Sequence, residues 1–364
     1  MNEIPKTMSG VALTGHGGPE VLEFRTDLPV PVPGQGEVLV RVAAAGVNNT
    51  DINTRTGWYS KSGAGSEDSS ADASWTGEAL QLPRIQGADV CGEIVATGPG
   101  VDTARLGERV LIEPCLREVA GQSMEPPWYL GSECDGGFAG YTTVAARHAH
   151  RINSTLSDVE LASFPCSYST AENMLTRAGV GAKDTVLITG ASGGVGSAAV
   201  QLARARGAKV VAVTSASKAD LLRDIGAARI VHRGASLEQA LGRNSVDVVI
   251  DLVAGSQWGE LLDVLRPGGR YAVSGAIGGP LVELDIRTLY LKDLSFFGCT
   301  VLEPEVFGNL VRHIEAGRIK PLVAESWDLH EIDKAQASFV TKKHTGKIVL
   351  RVAGSQGRQI SARP

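Results

Sequence analysis

The sequence predicts an α/β protein in which a doubly wound parallel sheet is inserted into an antiparallel, β-rich domain. Three observations carry that expectation. Residues 186–215 run from an apolar strand through a glycine-rich turn, an amphipathic helix and Gly207 to a second apolar strand, which is a βαβ unit. From about residue 153 to 303 apolar strands alternate with helical patterns, whereas the stretch before it holds short strands punctuated by Gly and Pro. The late apolar run Gly346-Lys-Ile-Val-Leu-Arg-Val352 has no partner in the α/β pattern and is expected to return to the first domain.

Taken in order, Val38-Leu-Val-Arg-Val42 alternates as a half-buried strand does, and Val90–Ala96 and Arg109–Ile112 are further apolar strand candidates. Between them Ser60–Glu78, rich in Gly, Ser, Ala and Asp, reads as a mobile loop. Glu113–Asp135, with Pro114, Pro126, Pro127, Gly121 and Gly131, shows little periodicity and reads as irregular. Strands are then expected at Thr185–Gly190, Lys209–Ser215, Arg229–His232, Val246–Val253, Arg270–Ser274 and Leu294–Val301. With helices between most of them, these make a parallel sheet of about six strands. After Pro304 two helical segments precede the closing strand. The expected domains are 1–152 with 304–364, and 153–303, with an active site in the cleft between them.

Composition narrows the function. With 43% hydrophobic and 21% charged residues the chain is an ordinary globular protein, and a net charge of −5 without a basic, aromatic-interleaved stripe argues against nucleic acid as a partner. No apolar run approaches the ~20 residues of a membrane span. The first ten residues lack the apolar core of a signal peptide. The five cysteines are odd in number, widely spaced and without CxxC, which fits a reduced, cytoplasmic protein.

The first turn of the βαβ unit carries Ala191-Ser192-Gly193-Gly194-Val195-Gly196. Gly193 lets the backbone approach a pyrophosphate, and Gly196 lets the helix pack closely on the strand. The helix N-terminus then turns free N–H groups and a partial positive charge toward the phosphates. A dinucleotide site is expected there.

The domain order resembles that of the medium-chain dehydrogenase/reductase superfamily, and so do several motifs. These are Gly17-Gly-Pro-Glu-Val-Leu22, Pro33-Gly-Gln-Gly-Glu-Val-Leu-Val-Arg-Val42, Gly46-Val-Asn-Asn-Thr-Asp51, Gly107-Glu-Arg-Val110, Asp135-Gly-Gly-Phe-Ala-Gly-Tyr141 and Gly346-Lys-Ile-Val-Leu350. The resemblance covers nearly the whole chain and implies a GroES-like catalytic domain around a Rossmann domain. The segment from Gly46 to Tyr59 is most similar to the quinone oxidoreductase and enoyl thioester reductase branches.

In the zinc-dependent branch a Cys, a His and a second Cys hold the catalytic metal. At the matching places this chain has Asn48, Ala88 and Cys166, so only one ligand type survives. A catalytic zinc needs about three protein ligands, so no metal is expected. The four-cysteine structural lobe is replaced by a stretch holding only Cys115 and Cys134. Without a Lewis acid, hydride transfer suits an already polarised acceptor, a quinone or a conjugated C=C. Tyr59 falls on the proton-donating tyrosine of enoyl thioester reductases. Asn48 falls on the asparagine of the same motif, where its amide would orient the acceptor or the nicotinamide.

An NAD-preferring site usually carries Asp or Glu after the second strand. Here that place reads Val213-Thr-Ser-Ala-Ser-Lys218, without an acid. Ser215, Lys218 and Arg233 are then expected to take a 2′-phosphate, making NADPH the cofactor. Thr170 matches the family's nicotinamide-proximal threonine. Val253 and Ala276 stand at strand ends facing the cofactor, and Lys347 is expected to reach it from the closing strand.

The expected function is an NADPH-dependent, zinc-independent reductase of a quinone or an α,β-unsaturated carbonyl or enoyl compound. Two other readings stay open: an alcohol dehydrogenase with an unrecognised metal, and an NADPH-binding protein without turnover. The expected partners are a small-molecule acceptor and a second copy of the chain in a homodimer, through the edge strand Leu294–Val301.

Overall fold

A computed structural model describes residues 3–60 and 74–352. The chain forms two compact units, Met1–Cys166 with Pro321–Pro364, and Ser167–Lys320. These boundaries lie later than the 152/153 and 303/304 expected from pattern. Arg109 explains the first, because it binds Asp158 Oδ1 at 2.6 Å and the Leu156 carbonyl at 2.7 Å, keeping that segment with the β-rich unit. Asn173 explains the second, donating to the Val301 carbonyl at 3.0 Å and accepting from the Glu303 N–H at 3.0 Å.

The first unit is built on a seven-stranded sheet whose long central strand is Glu37–Val47. That strand pairs antiparallel with Asp89–Thr97, with Tyr141–Ala145 and with the closing strand Lys347–Arg351. The closing strand thus returns to this domain, as its unpartnered apolar run predicted. Alternation puts Val38, Val40 and Val42 into one core with Val90, Ile94, Ile112 and Ile348. Each such side chain contributes about 1.5–3 kcal/mol on burial. Beside the closing strand lies a strand the sequence reading missed, Val323–Asp328, joined to it in parallel through helix Ile332–Val340. Its residues, Val-Ala-Glu-Ser-Trp-Asp, carry too few apolar positions to signal an edge strand.

Glu113–Asp135 is not irregular. It contains an antiparallel hairpin, Cys115–Val119 with Gln122–Tyr129, turning at Ala120 (φ 49) and Gly121 (φ 74). Two consecutive positive-φ residues give the tight turn that matches strand twist. The prolines 126 and 127 lie within the second strand, which hides its period in the sequence. Of the loop expected at Ser60–Glu78, residues 61–73 lie outside the described residues.

The second unit holds a six-stranded parallel sheet. Its spatial order is Arg229–His232, Lys209–Thr214, Thr185–Ile188, Val246–Asp251, Leu265–Val273 and Ser295–Gly298. In chain order this is the doubly wound arrangement 3-2-1-4-5-6, which opens a crevice at the carboxyl ends of the first and fourth strands. All six strands overlap the expected segments. Helix Gly194–Ala205 follows the first strand, with Ala198, Ala199, Val200 and Leu202 buried.

Candidate active site

The polar centre of the first unit grows from three strand ends. Glu37–Val47 stops at Asn48, which caps helix Asn49–Thr56 reciprocally with Asp51: the Asn48 N–H donates to Asp51 Oδ2 at 2.7 Å. Asp89 opens the neighbouring strand and Lys347 opens the closing one. Gly46 is required here, since a Cβ on it would lie 2.6 Å from Asp89 Oδ2 and 2.8 Å from the Ala162 carbonyl.

The result is a fully buried ion pair with saturated hydrogen bonding. Lys347 Nζ lies 2.7 Å from Asp89 Oδ2. It also donates to Asn48 Oδ1 at 2.5 Å and to the Val47 carbonyl at 2.9 Å, so all three of its protons are used. Asn48 Nδ2 donates to Asp89 Oδ2 at 2.8 Å, and the Cys166 N–H donates to Asp89 Oδ1 at 2.5 Å. Lys347, assigned from sequence to the cofactor, has its ammonium on Asp89, Asn48 and Val47. Asn48, assigned to orient the acceptor, has both ends of its amide bound by Lys347 and Asp89. A sequence reading sees neither because the partners lie about forty and three hundred residues away, 41 for Asp89 and 299 for Lys347.

Around this pair lies an apolar and phenolic shell. Ala88, Tyr129 and Cys166 cluster, with Trp75 packed against them. The Tyr129 hydroxyl is 2.9 Å from Cys166 Sγ. Burial pushes the Cys166 thiol up to about 12, with the Asp89 carboxylate adding to the shift. Tyr59 is half-buried, hydrogen-bonds the Asn53 side chain and is pushed by burial up to about 12, with the Cys166 and Asp51 charges contributing. It therefore holds its proton throughout the neutral range. Asp51 is pushed by burial up to about 7, against the opposing Asn48 N–H and Lys347 charge. Tyr59, Cys166, Tyr129 and Asp51 thus share one electrostatic neighbourhood, which the sequence reading identified only through Tyr59 and Cys166.

A catalytic zinc does not fit these donors. Asn48 and Ala88 are not anionic or imidazole ligands, Asp89 is neutralised by Lys347, and Cys166 is the one remaining zinc-type ligand of the three matching places. Among the described residues no three His, Cys, Asp or Glu side chains converge on a metal position. A separate recess of about 430 Å³ in this unit, lined by Met8, Leu28, Arg84, Leu116 and Tyr141 among others, is not lined by Asn48, Tyr59, Asp89, Cys166 or Lys347.

In the second unit the glycine motif forms a tight turn into an uncapped helix N-terminus. Gly190 turns at φ 56 and helix Gly194–Ala205 opens at Gly193 without a side-chain cap. A Cβ on Gly196 would lie 2.3 Å from the Gly190 carbonyl, so only glycine permits this approach of helix to turn. Ala191 is fully buried, donating to the Val213 carbonyl at 3.3 Å, while Ser192, Gly193, Gly194 and Val195 line the turn and first helical residues. After the second strand, Ser215 Oγ lies 3.2 Å from Ser217 Oγ, and Arg233 donates its N–H to the Thr214 carbonyl at 2.8 Å. Burial, then the nearby Arg233 charge, lowers the Lys218 pKa. The structure therefore brings Ser215, Lys218 and Arg233 to one strand end. Thr170 sits in helix Pro165–Arg177.

The sequence reading missed Asp251. Fully buried at the end of the fourth strand, its carboxylate accepts from Thr189 Oγ1 and the Tyr271 hydroxyl, each at 2.6 Å. It also accepts from the Val253 and Ala254 N–H groups at 2.9 and 3.1 Å. This lacing holds Ala254 at φ 54 and fixes the Val253 turn, whose carbonyl takes the Gly278 N–H at 2.7 Å. Ala276 accepts from the Gly279 N–H at 3.0 Å in the facing turn. An acid ending the apolar run Val-Asp-Val-Val-Ile-Asp was the available signal.

The chain matches two family models, an alcohol dehydrogenase GroES-like domain over residues 34–154 and a zinc-binding dehydrogenase over residues 194–316. It is 28% identical to the quinone oxidoreductase of Homo sapiens over 95% of this chain and 98% of that one. It is 30% identical to the acryloyl-coenzyme A reductase of Metallosphaera sedula over 94% of this chain and 99% of the relative. A solved structure from Sinorhizobium meliloti, provisionally assigned as an alcohol dehydrogenase, shares 45% identity and a TM-score of 0.87. That match covers 97% of this chain and 98% of the other.

Proposed function

The chain belongs to the medium-chain dehydrogenase/reductase superfamily, and from that premise we propose that it is an NADPH-dependent reductase of quinones or other α,β-unsaturated carbonyl compounds that works without a metal. The observation that carries the reading is the Lys347–Asp89–Asn48 cluster beside Ala88, which puts an ion pair and an apolar wall where a zinc site would need ligands. The quinone oxidoreductase and acryloyl-coenzyme A reductase relatives support a conjugated acceptor.

Gly193 and Gly196 would admit the pyrophosphate of the cofactor at the helix N-terminus. Ser215, Lys218 and Arg233 would take its 2′-phosphate, with Thr170, Val253 and Ala276 lining the path toward the nicotinamide. Bound NADPH supplies the hydride. Tyr59, which keeps its phenolic proton at neutral pH, delivers a proton to the reduced acceptor. The Lys347–Asp89 pair fixes Asn48 and the Cys166 end of helix Pro165–Arg177, holding the floor of the site rigid.

The protein is a homodimer in this reading. The strand Ser295–Gly298 ends the sheet with an edge that has no partner among the described residues, and Leu281, Tyr290, Leu291 and Phe296 nearby in the same unit are exposed. It works in a reducing, cytoplasmic environment, since all five cysteines are free. No helix among the described residues is long and apolar enough to cross a membrane.

The test is oxidation of NADPH by the purified protein, offered an ortho-quinone and a short trans-enoyl thioester separately, with NADH as the comparison. Turnover of either with NADPH preferred supports the reading. Turnover confined to simple aldehydes and dependent on added zinc would replace it with an alcohol dehydrogenase.

A further inference from the structure

We infer that Trp75 and Tyr129 form an aromatic wall, registered by Glu133, that selects flat conjugated acceptors of the quinone type over extended enoyl chains. This rests on the proposed function and narrows its substrate class.

The wall is assembled by one short segment. Glu133 Oε2 accepts the Tyr129 N–H at 2.8 Å, while Oε1 accepts the Thr76 N–H at 2.8 Å and the Thr76 hydroxyl at 3.0 Å. Ser132 Oγ accepts the Trp75 N–H at 3.0 Å. Two adjacent side chains therefore hold the backbone at Trp75, Thr76 and Tyr129. The segment Ser74–Glu78 also closes on itself, Ser74 donating to the Glu78 carbonyl at 2.9 Å and Gly77 to the Ser74 carbonyl at 3.1 Å. Trp75 is thereby laid on Tyr129 with ring centroids 5.0 Å apart and planes 26° from parallel.

The wall stands at the chemistry. The hydroxyl of Tyr129 lies 2.9 Å from Cys166 Sγ, and the Cys166 N–H is tied to Asp89 Oδ1. Ala88, a small side chain, packs in the same cluster. Trp75 is half-buried rather than enclosed. A stacked pair prolongs naturally to a third flat ring, because offset stacking rewards a planar π-system. A saturated, kinked chain beyond an enoyl group gains only ordinary apolar contact.

The test compares kcat/KM for an ortho-quinone with that for a short trans-enoyl thioester in wild type, Trp75→Ala, Trp75→Phe and Glu133→Ala, with NADPH affinity measured alongside. The quinone-to-thioester ratio is expected to fall roughly three- to tenfold in Trp75→Ala. Trp75→Phe restores most of the ratio. Glu133→Ala lowers it in the same direction while the near-ultraviolet circular dichroism of the stacked pair diminishes, a change that a merely destabilised fold would not confine to the ratio. An unchanged ratio in Trp75→Ala with folded protein and normal NADPH binding overturns the inference. Failure of wild type to reduce either acceptor defeats the proposed function instead. In that event calorimetric binding of a flat aromatic ketone decides the wall, with weaker binding to Trp75→Ala sustaining it and equal binding refuting it.

Discussion

Lys347 Nζ and Asp89 Oδ2 meet at 2.7 Å with the two side chains 3% and 0% exposed, joining the start of the closing strand to the start of the strand Asp89–Thr97. A buried pair of this kind is weak evidence of net stabilisation, but breaking it leaves a bare charge in the interior. Lys347→Met is expected to lower stability by about 3–5 kcal/mol, because Asp89 then lacks a counter-charge. Lys347→Met with Asp89→Asn should recover a large part of that loss. Chemical denaturation of the three proteins checks it; a double variant no more stable than the single one would show that the pair is not the coupling element.

Asp51 gives a pH signature of unusual sign. Its folded pKa is raised, mainly by burial, to about 7 from the ordinary carboxyl value of 3.8. The folded state therefore binds the proton more tightly than the unfolded chain. This contribution to stability is complete at pH below the unfolded value, declines as pH rises, and is gone above the folded value. Between about pH 4 and 7, Asp51→Asn should remove part of the decline, whatever it does to the absolute stability. Equal slopes for both proteins, from denaturation at several pH values, would mean that Asp51 ionises normally.

Tyr59→Phe removes the proposed proton donor and little volume. The expected outcome is a fall in kcat of about 100-fold, with the affinity for NADPH unchanged. Because the phenol is pushed up to about 12, the wild-type rate should show no loss from tyrosine ionisation up to pH 9. A variant with wild-type kcat would move the donor elsewhere, Tyr129 being the neighbouring phenol.

Lys218 and Arg233 stand together at the second strand's end, each raising the positive potential around the other. Lys218→Ala and Arg233→Ala should each weaken NADPH binding about tenfold, the loss of one charge-assisted contact. NADH binding should stay within about twofold, since it carries no 2′-phosphate for these residues to meet. Equal losses for both cofactors in a titration would assign the pair a structural role.

Much of this architecture is written locally in the chain. The parallel sheet was readable because its central strands, Thr185–Ile188, Lys209–Thr214 and Val246–Asp251, are mostly apolar runs bounded by turn residues, and the Gly196 approach because only glycine fits it. Three kinds of feature were hidden. The hairpin from Cys115 to Tyr129 carries prolines inside a strand, which masks its alternation. The edge strand Val323–Asp328 has half its residues polar, because one side of it is solvated. The buried cluster was opaque for a different reason. Lys347 and Asn48 looked like ligand-contacting groups in isolation, and only the pairing of Ile348 with Val47 and of Gly46 with Asp89 turns them toward each other. Local pattern reports elements; a charge satisfied across three strands is visible only once the register is known.

In the proposed function Lys347, Asp89 and Ala88 take the place of a metal centre in a working reductase. The most direct measurement is NADPH-dependent quinone reduction by protein stripped with a strong chelator, alongside metal analysis of the same sample. Undiminished kcat is expected from protein holding far less than one metal ion per chain. Activity that vanishes on stripping and returns with zinc would contradict it.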